Sequence, residues 1–360
     1  MLKLLNEYAA IEDTSFLTEV STRCSRSLET SLNRGVVHEM RIPRITSGGA
    51  VAHKVEQAFT FPRAVIIDAL LDAKDANIDV STELIKQECN KLIAAKRKDV
   101  SGGWSYFSNV PELPPDMDDL GSVTRTLFRA GGSKLAACCS NPLDICLASL
   151  NADGSRSTWI IDPESYNYAV MLNYMKIIAR SEGCHAEVIA NFISGAYIAL
   201  DDGEKQQKLL LCVDFLLKRQ QANGSWRTNF YGSTFYSTMM VLTALKSVGC
   251  NGPGINAAIC FLESSQQDDG SWFNGDVLAT ACAIISLVVA GEINSAVRRG
   301  LKYLLKMQRE DGLWPAGTFV RVVTPFGIIE QKDVEITSAF CLKAITTYLL
   351  EGRLAWFNNE

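Results

Sequence analysis

The chain has 360 residues, of which 47% are hydrophobic and 21% are charged, and its formal net charge is −5 at pH 7. This composition is typical of a well-buried globular protein and excludes an intrinsically disordered chain. The negative charge offers no long-range attraction to nucleic acid, so no nucleic-acid partner is expected. No apolar run approaches the roughly 18 residues of a transmembrane helix, and no signal peptide is indicated.

Eleven cysteines and three histidines are scattered along the chain without the paired spacing of a zinc site. Cys138 and Cys139 are adjacent, but no Cys-x-x-Cys pair occurs. Free cysteine is often buried, and disulfides are rare in the cytoplasm. We therefore predict reduced, core-filling cysteines in a cytoplasmic protein with no bound metal.

Residues 1–60 are the least patterned part of the sequence. They are predicted as a short helical segment, and the Ser-Gly-Gly at residues 47–49 marks a break after it. The main body is predicted to span residues 61–360.

A repeat runs through the main body. Residues 215–226, 261–272 and 303–314 are similar, and each ends in a Gly-containing turn with a tryptophan, at Trp226, Trp272 and Trp314. Weaker copies end at Trp104 and Trp159. Glycine permits a positive φ at the turn, and the indole can cover the end of a neighbouring helix pair. The repeat unit is therefore predicted as helix, turn, helix.

The second helix of each unit is apolar nearly all round, and such a helix must be surrounded by protein. Repeated helix pairs bury a continuous core by stacking. We predict an all-α, closed (α/α)6 double-ring barrel with an apolar cavity open at one end; an open solenoid is the alternative. The six inner helices are predicted near residues 62–73, 117–130, 166–179, 233–248, 276–290 and 333–349.

Three carboxylates, Asp116, Asp118 and Asp119, lie at the start of one predicted inner helix, after a Gly-Gly-Trp turn. Capping of free N–H groups explains a single Asp at this place. Three neighbouring carboxylates, however, resist ionising together, so one of them stays protonated and can donate a proton. Asp116 and Asp119 are spaced to lie on one side of the helix and to orient Asp118.

Aromatic side chains near the starts of the inner helices are candidates to line the cavity. A desolvated ring attracts a cation by about 1–2 kcal/mol or more. Taken singly, each ring is better explained as core; as a set they suffice for a cation-stabilising pocket. The rings predicted to contact a substrate are Trp104, Tyr106, Tyr166, Phe235, Tyr236 and Phe326.

The turns that place Gln221 before Trp226, Gln267 before Trp272 and Gln308 before Trp314 resemble the QW repeats of the squalene–hopene and oxidosqualene cyclase superfamily. The stretch Asp116-Met117-Asp118-Asp119 resembles the DxDD motif of class II terpene cyclases. The resemblance covers residues 61–350. It implies protonation-initiated cyclisation of a linear isoprenoid or prenylated substrate, with the middle Asp, here Asp118, as the proton donor. It implies no redox cofactor, and Mg²⁺ only for a substrate that carries a diphosphate.

The chain departs from that family in having residues for only one barrel, whereas full-length squalene cyclases have two. Three alternatives stay open: the barrel forms its own cavity, capped by residues 1–60; it pairs with a second chain in a homo- or hetero-oligomer; or it is a non-catalytic barrel that binds an isoprenoid or a partner. Peripheral membrane contact also stays open. The protein prenyltransferase β subunit shares the barrel, but its zinc site needs a histidine that the C-terminal repeats lack.

Weaker candidates are isolated polar residues. His185 could tune an acid, although a surface or capping role is the more common explanation of a lone histidine beside such a turn. Asp276 and Asp333 are predicted helix caps. The acidic turn at residues 201–204 is predicted as a solvated loop. Four arginines are candidates to hold a diphosphate: Arg63, Arg125, Arg129 and Arg321.

Overall fold

A computed structural model of the chain describes residues 14–45, 51–100, 102–107, 109–164, 167–178, 183–324 and 327–357. In chain order these residues form α1 (Thr14–Arg34), β1 (His38–Ile45), β2 (Val51–Ala58), α2 (Thr60–Asp75), α3 (Thr82–Ala94), α4 (Met117–Ala136), α5 (Ser140–Ala148), α6 (Tyr168–Ile178), α7 (Ala186–Ala199), α8 (Gly203–Lys218), α9 (Thr234–Ser247), α10 (Pro253–Ser264), α11 (Val277–Ala290), α12 (Ser295–Met307), β3 (Gly317–Thr324), β4 (Gly327–Asp333) and α13 (Val334–Phe357).

Within the described residues, six helices form a closed inner ring. Helices α2, α4, α7, α9, α11 and α13 each pack against the next, and α13 packs against α2. Helix α11 is representative: every side chain from Val277 to Val288 is buried, as expected for a helix without a polar face. The closed ring confirms the predicted (α/α)6 barrel and excludes the open solenoid.

An outer ring surrounds the inner one in the same part of the chain. It consists of α1, α3, α5, α8, α10 and α12, each of which packs on one or two inner helices. The outer helices bury one face only; α8 buries Leu209, Cys212 and Val213 while its opposite side is exposed. Burial of one face is typical of a helix at the surface of a barrel.

The turns of the repeat bury tryptophans against the preceding outer helices. In four of these turns the indole Nε1 donates a 2.7 Å hydrogen bond to a leucine main-chain oxygen, in the pairs Trp104–Leu92, Trp226–Leu216, Trp272–Leu262 and Trp314–Leu304. At Gly224, φ is +91° and an added Cβ would lie 2.1 Å from the Ala257 oxygen, so only glycine fits.

Glutamine side chains tie each turn to the following outer helix. Gln220 donates from Nε2 to its own turn glycine (2.8 Å) and to Gly254 in α10 (2.7 Å). Gln308 likewise donates to its turn glycine (2.9 Å) and to Val20 in α1 (3.1 Å). Helix α1 therefore completes the outer ring beside α13, which would otherwise leave an apolar face uncovered. Helix α1 is thus part of the barrel, although it lies before the domain boundary that was predicted at residue 60.

The third inner helix is α7, not the predicted segment 166–179. Every residue of α7 from Ala186 to Ala196 is buried. Helix α6 occupies most of the predicted segment, but Val170 is 52% exposed there. Both stretches are short and apolar, and periodicity alone cannot distinguish a helix at the rim from one in the core.

The described ranges also contain two antiparallel hairpins, β1–β2 and β3–β4. The first falls in residues 1–60, for which the sequence-based prediction of helix is wrong beyond α1. Its side chains alternate, because His38, Met40 and Ile42 are buried while Glu39 and Arg41 are exposed. This period of two is that of a half-buried strand. Strand β1 contacts β4, so the hairpins meet.

No helix in the described part of the chain is long and apolar enough to cross a membrane.

Candidate active site

A cavity lies between the start of α4 and the two hairpins. Residues 1–60 contribute Met40 and Ile42 to its wall, and β3 and β4 contribute Val320, Val322 and Ile329, so the same chain caps the barrel. The remaining lining residues are Tyr106, Phe107, Leu113, Asp116, Asp118, Asp119, Thr158, Trp159, Met175, Val188, Phe230 and Tyr231. The wall is thus apolar and aromatic, apart from the carboxyl cluster and a few hydroxyl groups.

Asp118 lies in the first turn of α4 and is only 8% exposed. Its Oδ1 accepts a 2.6 Å hydrogen bond from Asn191 Nδ2. Its Oδ2 accepts a short hydrogen bond from the Tyr231 hydroxyl group. The two carboxyl oxygens therefore each face one donor.

Two glycines bring Asn191 to Asp118. Helices α4 and α7 approach each other so closely that a Cβ added to Gly195 would lie 2.0 Å from the Gly121 oxygen. A Cβ added to Gly121 would lie 2.5 Å from the Asn191 oxygen. Backbones meet at this distance only where both helices lack side chains. The crossing therefore sets the distance between the Asn191 amide and the acid.

Tyr231 is held from several sides. The residues flanking it pair with β3, through Gly232 N to Phe319 O (2.9 Å) and Arg321 N to Phe230 O (3.0 Å). The Tyr231 ring stacks on Tyr236, with ring centroids 4.0 Å apart. The hydroxyl group is therefore fixed against Asp118 by the hairpin and by α9.

Glu187, at the start of α7, also orders this segment. Its Oε1 accepts hydrogen bonds from Asn229 N (2.7 Å) and Phe230 N (3.4 Å). The side chain is fully buried, and burial raises its pKa to about 7.

Asp116 and Asp119 differ in their surroundings. Asp116 is the N-cap of α4, and its Oδ1 accepts a 2.8 Å hydrogen bond from Asp119 N. Both carboxyl oxygens of Asp119 are buried without a hydrogen-bond partner. A buried carboxyl group without donors favours its neutral form.

Burial dominates the protonation of the cluster. It raises the pKa of Asp118 to about 6, while the hydrogen bonds from Tyr231 and Asn191 act in the opposite direction. Burial and the charge of Asp118 raise the pKa of Asp116 to about 7, and burial and Asp116 raise the pKa of Asp119 well above its usual range. The cluster therefore retains protons near neutral pH, and Asp118 is the member whose anion is stabilised by two side-chain donors.

The aromatic residues predicted from the sequence divide into three groups. Tyr106 lines the cavity, and Tyr236 lies behind Tyr231. Trp104 is fully buried beneath its turn, and Phe235 stacks on Phe261; neither lines the cavity. Tyr166 and Phe326 lie outside the described residues.

Sequence reasoning missed Asn191 and several lining rings. Asn191 is the one amide side chain in α7, whose other polar side chains between Ala186 and Ala196 are Glu187 and Ser194. The rings of Phe107 and Trp159 lie in connections between helices, where no periodicity marks them as inward-facing.

The weaker candidates make no direct hydrogen bond to the carboxyl cluster in the part of the chain that the structure describes. His185 is buried, with Nδ1 2.7 Å from Thr158 Oγ1. Asp276 and Asp333 cap α11 and α13, as predicted. The four arginines pair with carboxylates, in the pairs Arg63–Glu88, Arg125–Asp68, Arg129–Asp68 and Arg321–Glu330. Among the residues that the structure describes, no group of three or more His, Cys, Asp or Glu could hold a metal ion.

Comparisons with known proteins agree with this architecture. A probable squalene–hopene cyclase from Sinorhizobium fredii is 27% identical over 236 residues, which cover 59% of this chain and 36% of the relative. The match thus spans about a third of the length of these curated relatives.

Solved structures match over nearly the whole chain. The type II terpene cyclase MstE from Scytonema has a TM-score of 0.72 at 18% identity, covering 93% of this chain and 99% of that one. A variant of it in complex with its substrate, geranylgeranyl dihydroxybenzoate, has a TM-score of 0.72 at 17% identity, covering 98% and 100%.

The family model described as the squalene–hopene cyclase C-terminal domain matches residues 71–348. With this match over most of the sequence, the chain belongs to the squalene–hopene cyclase C-terminal domain family, within the class II terpene cyclase superfamily.

Proposed function

We propose that the chain catalyses the protonation-initiated cyclisation of a linear isoprenoid or prenylated substrate, with Asp118 as the general acid. The observation that carries this proposal is the Asp118 carboxyl group, which is buried in the wall of an apolar, aromatic cavity and faces two hydrogen-bond donors.

An unactivated alkene is a very weak base, so its donor must be protonated at working pH and must also release its proton readily. Burial supplies the first property, and the donors Tyr231 and Asn191 supply the second, because they stabilise the anion that remains. In the proposed step, the π electrons of a substrate double bond form a C–H bond with the Asp118 proton. The other alkene carbon becomes a cation, and Asp118 becomes a carboxylate.

The cation is then attacked by the next double bond of the chain, which closes a ring and moves the positive charge. Loss of a proton ends the sequence, so the product is an isomer of the substrate. Rings that face the cavity, such as Tyr106, Trp159 and Phe230, can stabilise the moving charge by cation–π attraction of about 1–2 kcal/mol each. The apolar hairpin residues exclude water that would otherwise capture the cation.

The hairpins support a cyclase that needs no second barrel, because they close the cavity from within one chain. The Scytonema cyclase, a fold neighbour of matching length, acts on geranylgeranyl dihydroxybenzoate. A prenylated aromatic compound is accordingly the first substrate class that we propose to test. We propose no redox cofactor, and Mg²⁺ only for a diphosphate substrate.

The experiment incubates the parent with farnesyl diphosphate, geranylgeranyl diphosphate, squalene and geranylgeranyl dihydroxybenzoate. Asp118→Asn should abolish every cyclic product that the parent forms. Asp144→Asn is the matched control, because Asp144 lies on an outer helix with its side chain 50% exposed and should be as active as the parent. An Asp118→Asn variant that cyclises as fast as the parent contradicts the assignment. A parent that binds these compounds but cyclises none supports a binding barrel instead.

A further inference from the structure

The Asn191 amide lies between the Asp118 carboxyl group and the Arg125 guanidinium group, and it binds each of them through a different end. Its Nδ2 donates to Asp118 Oδ1 (2.6 Å) and to the Asp118 main-chain oxygen (3.0 Å). Its Oδ1 accepts a 3.0 Å hydrogen bond from Arg125 Nη1. A guanidinium group can only donate, so the Asn191 oxygen must face Arg125 and its NH₂ group must face Asp118.

Arg125 is itself fixed across the barrel. Its Nε lies 3.2 Å from Asp68 Oδ2, on inner helix α2, and Asp68 also binds Arg129 (2.6 Å) and Lys343 (2.7 Å). The Arg125 side chain is 17% exposed, so solvent screens these interactions little. The guanidinium group therefore has one arrangement relative to Asn191.

We propose that Arg125 is a positioning residue, which holds the Asn191 amide with its NH₂ group toward Asp118 and so makes Oδ2 the oxygen that carries the transferable proton. This inference rests on the proposed function of Asp118 as the acid. The Asn191 NH₂ group can only donate, so the oxygen that it faces, Oδ1, must stay an unprotonated acceptor. The Tyr231 hydroxyl group beside Oδ2 can either donate or accept, so the acid proton lies on Oδ2 in the neutral form, and Tyr231 donates to Oδ2 once that proton has left.

The reversed amide would act against catalysis. With its carbonyl oxygen toward Asp118, Asn191 would accept the acid proton and compete with the substrate for it. After proton transfer, the same oxygen would face a carboxylate and repel it. In the observed orientation, both Asn191 and Tyr231 donate to the carboxylate as it forms.

The protonation of Asp118 can be measured without turnover, by infrared titration of the carboxylic acid band that Asp118→Asn removes. The titratable or charged groups that face Asp118 are Asp116, Asp119 and Arg125 on its own helix, Glu187 on α7, Tyr236 on α9, and Tyr106 and Tyr231 in the connecting segments. Their contributions are shared by every variant that leaves them in place.

Arg125→Met should raise the apparent pKa of this band by about one unit, which is a tenfold weaker acid. Arg125→Lys retains a donor and should restore the parent titration to within about 0.3 unit. Arg129→Met is the matched control: Arg129 also binds Asp68, but the structure gives it no bond to Asn191, so the band should not move. Asn191→Leu removes the Asn191–Asp118 hydrogen bond itself, so it sets the largest shift that a reoriented amide can cause. If Arg125→Met does not fold, Arg125→Gln, which keeps an N–H donor without the charge, carries the prediction: its band should stay near that of the parent, and a one-unit shift would show that Arg125 acts by its charge.

A double-variant cycle separates orientation from charge. If Arg125 acts through Asn191, adding Arg125→Met to Asn191→Leu should shift the pKa of the band little further. Each single variant should lower kcat by about tenfold with KM unchanged. The double variant should then lower kcat by about tenfold as well, instead of by the product of the two losses.

Fully additive shifts would show that Arg125 acts by its charge alone and would overturn the inference, as would a band unmoved by both Arg125→Met and Asn191→Leu. If the parent cyclises no probe, the proposed function fails, whereas the titration still decides whether Arg125 positions the Asp118 proton.

Discussion

Replacing Tyr231 by Phe removes one hydroxyl group from the acid and little else. The ring is 5% exposed, stacks on Tyr236 at 4.0 Å and lies 5.2 Å from the Phe319 ring. Phenylalanine preserves these contacts, so no cavity forms and the hairpin stays in place. The variant isolates the hydrogen bond from Tyr231 to Asp118 Oδ2.

The expected loss follows from the charge state at which the bond acts. A hydrogen bond to a charged group contributes about 1.5–3 kcal/mol, and this one strengthens as Asp118 becomes a carboxylate in the transition state. Its removal should lower the maximal kcat by about 10- to 150-fold. The same loss should raise the pKa of Asp118 by about one to two units above its value near 6.

The fall in maximal kcat and the rise in the pKa of Asp118 can be told apart in a pH profile of the reaction rate. In the proposed mechanism Asp118 must be protonated, so we expect activity below its pKa and a loss of activity as pH rises through about 6 in the parent. In Tyr231→Phe the plateau should fall, while the descending limb moves to higher pH. Single-turnover cyclisation across pH 4.5–9 measures both.

Tyr303→Phe is the control, because Tyr303 lies on the outer helix α12 and its hydroxyl group donates to the Gly275 main-chain oxygen instead of to Asp118. A folded Tyr231→Phe variant with a plateau within about twofold of the parent and an unmoved limb would refute the reasoning.

Three further predictions concern the fold. Gly195→Ala places a Cβ 2.0 Å from the Gly121 oxygen and should lower the free energy of unfolding by about 1–3 kcal/mol in a thermal melt. Gly203→Ala is the control, because its added Cβ would lie in open space and should leave the stability unchanged. Equal melting temperatures of the two variants would contradict the close crossing of α4 and α7. The folded-state pKa of Asp118, about 6, lies above the unfolded value near 3.8, so the parent loses stability as pH rises through this range. The melting temperature of Asp118→Asn should therefore rise relative to that of the parent between pH 4 and pH 8. A difference in melting temperature that stays constant with pH would argue against a buried acid. Trp272→Phe loses the 2.7 Å hydrogen bond from the indole Nε1 to the Leu262 main-chain oxygen on the outer helix. It should lower the free energy of unfolding by about 1–3 kcal/mol, measured by denaturant titration. An unchanged denaturation midpoint would contradict a structural role for the turn.

The features predicted correctly from the sequence are those that depend on local residues. A turn glycine, a buried tryptophan and an apolar helix each have a signature within a few residues, so the repeat and the closed barrel could be predicted. The carboxyl cluster at Asp116–Asp119 was visible for the same reason.

Contacts between distant segments could not be predicted. Asn191 meets Asp118 because two glycines let their helices cross closely, and Tyr231 meets it because β3 pairs with the loop before α9. Nothing local to either residue encodes these distances. The place of α1 in the outer ring could not be predicted, since its partner α13 lies at the other end of the chain.

One error had a readable signal. The alternation of His38, Met40 and Ile42 with charged residues marks β1 as a strand. Helices α6 and α7 are both apolar, so their sequences did not show which of them is the inner helix.

Cyclisation in deuterium oxide tests the central claim most directly. The Asp118 proton exchanges with solvent, so the first C–H bond of each product should carry deuterium. We predict one non-exchangeable deuterium per cyclic product, at the carbon that is protonated first, and no product from Asp118→Asn. A cyclic product without deuterium, or one formed equally fast by Asp118→Asn, would contradict an account in which this buried acid starts the reaction.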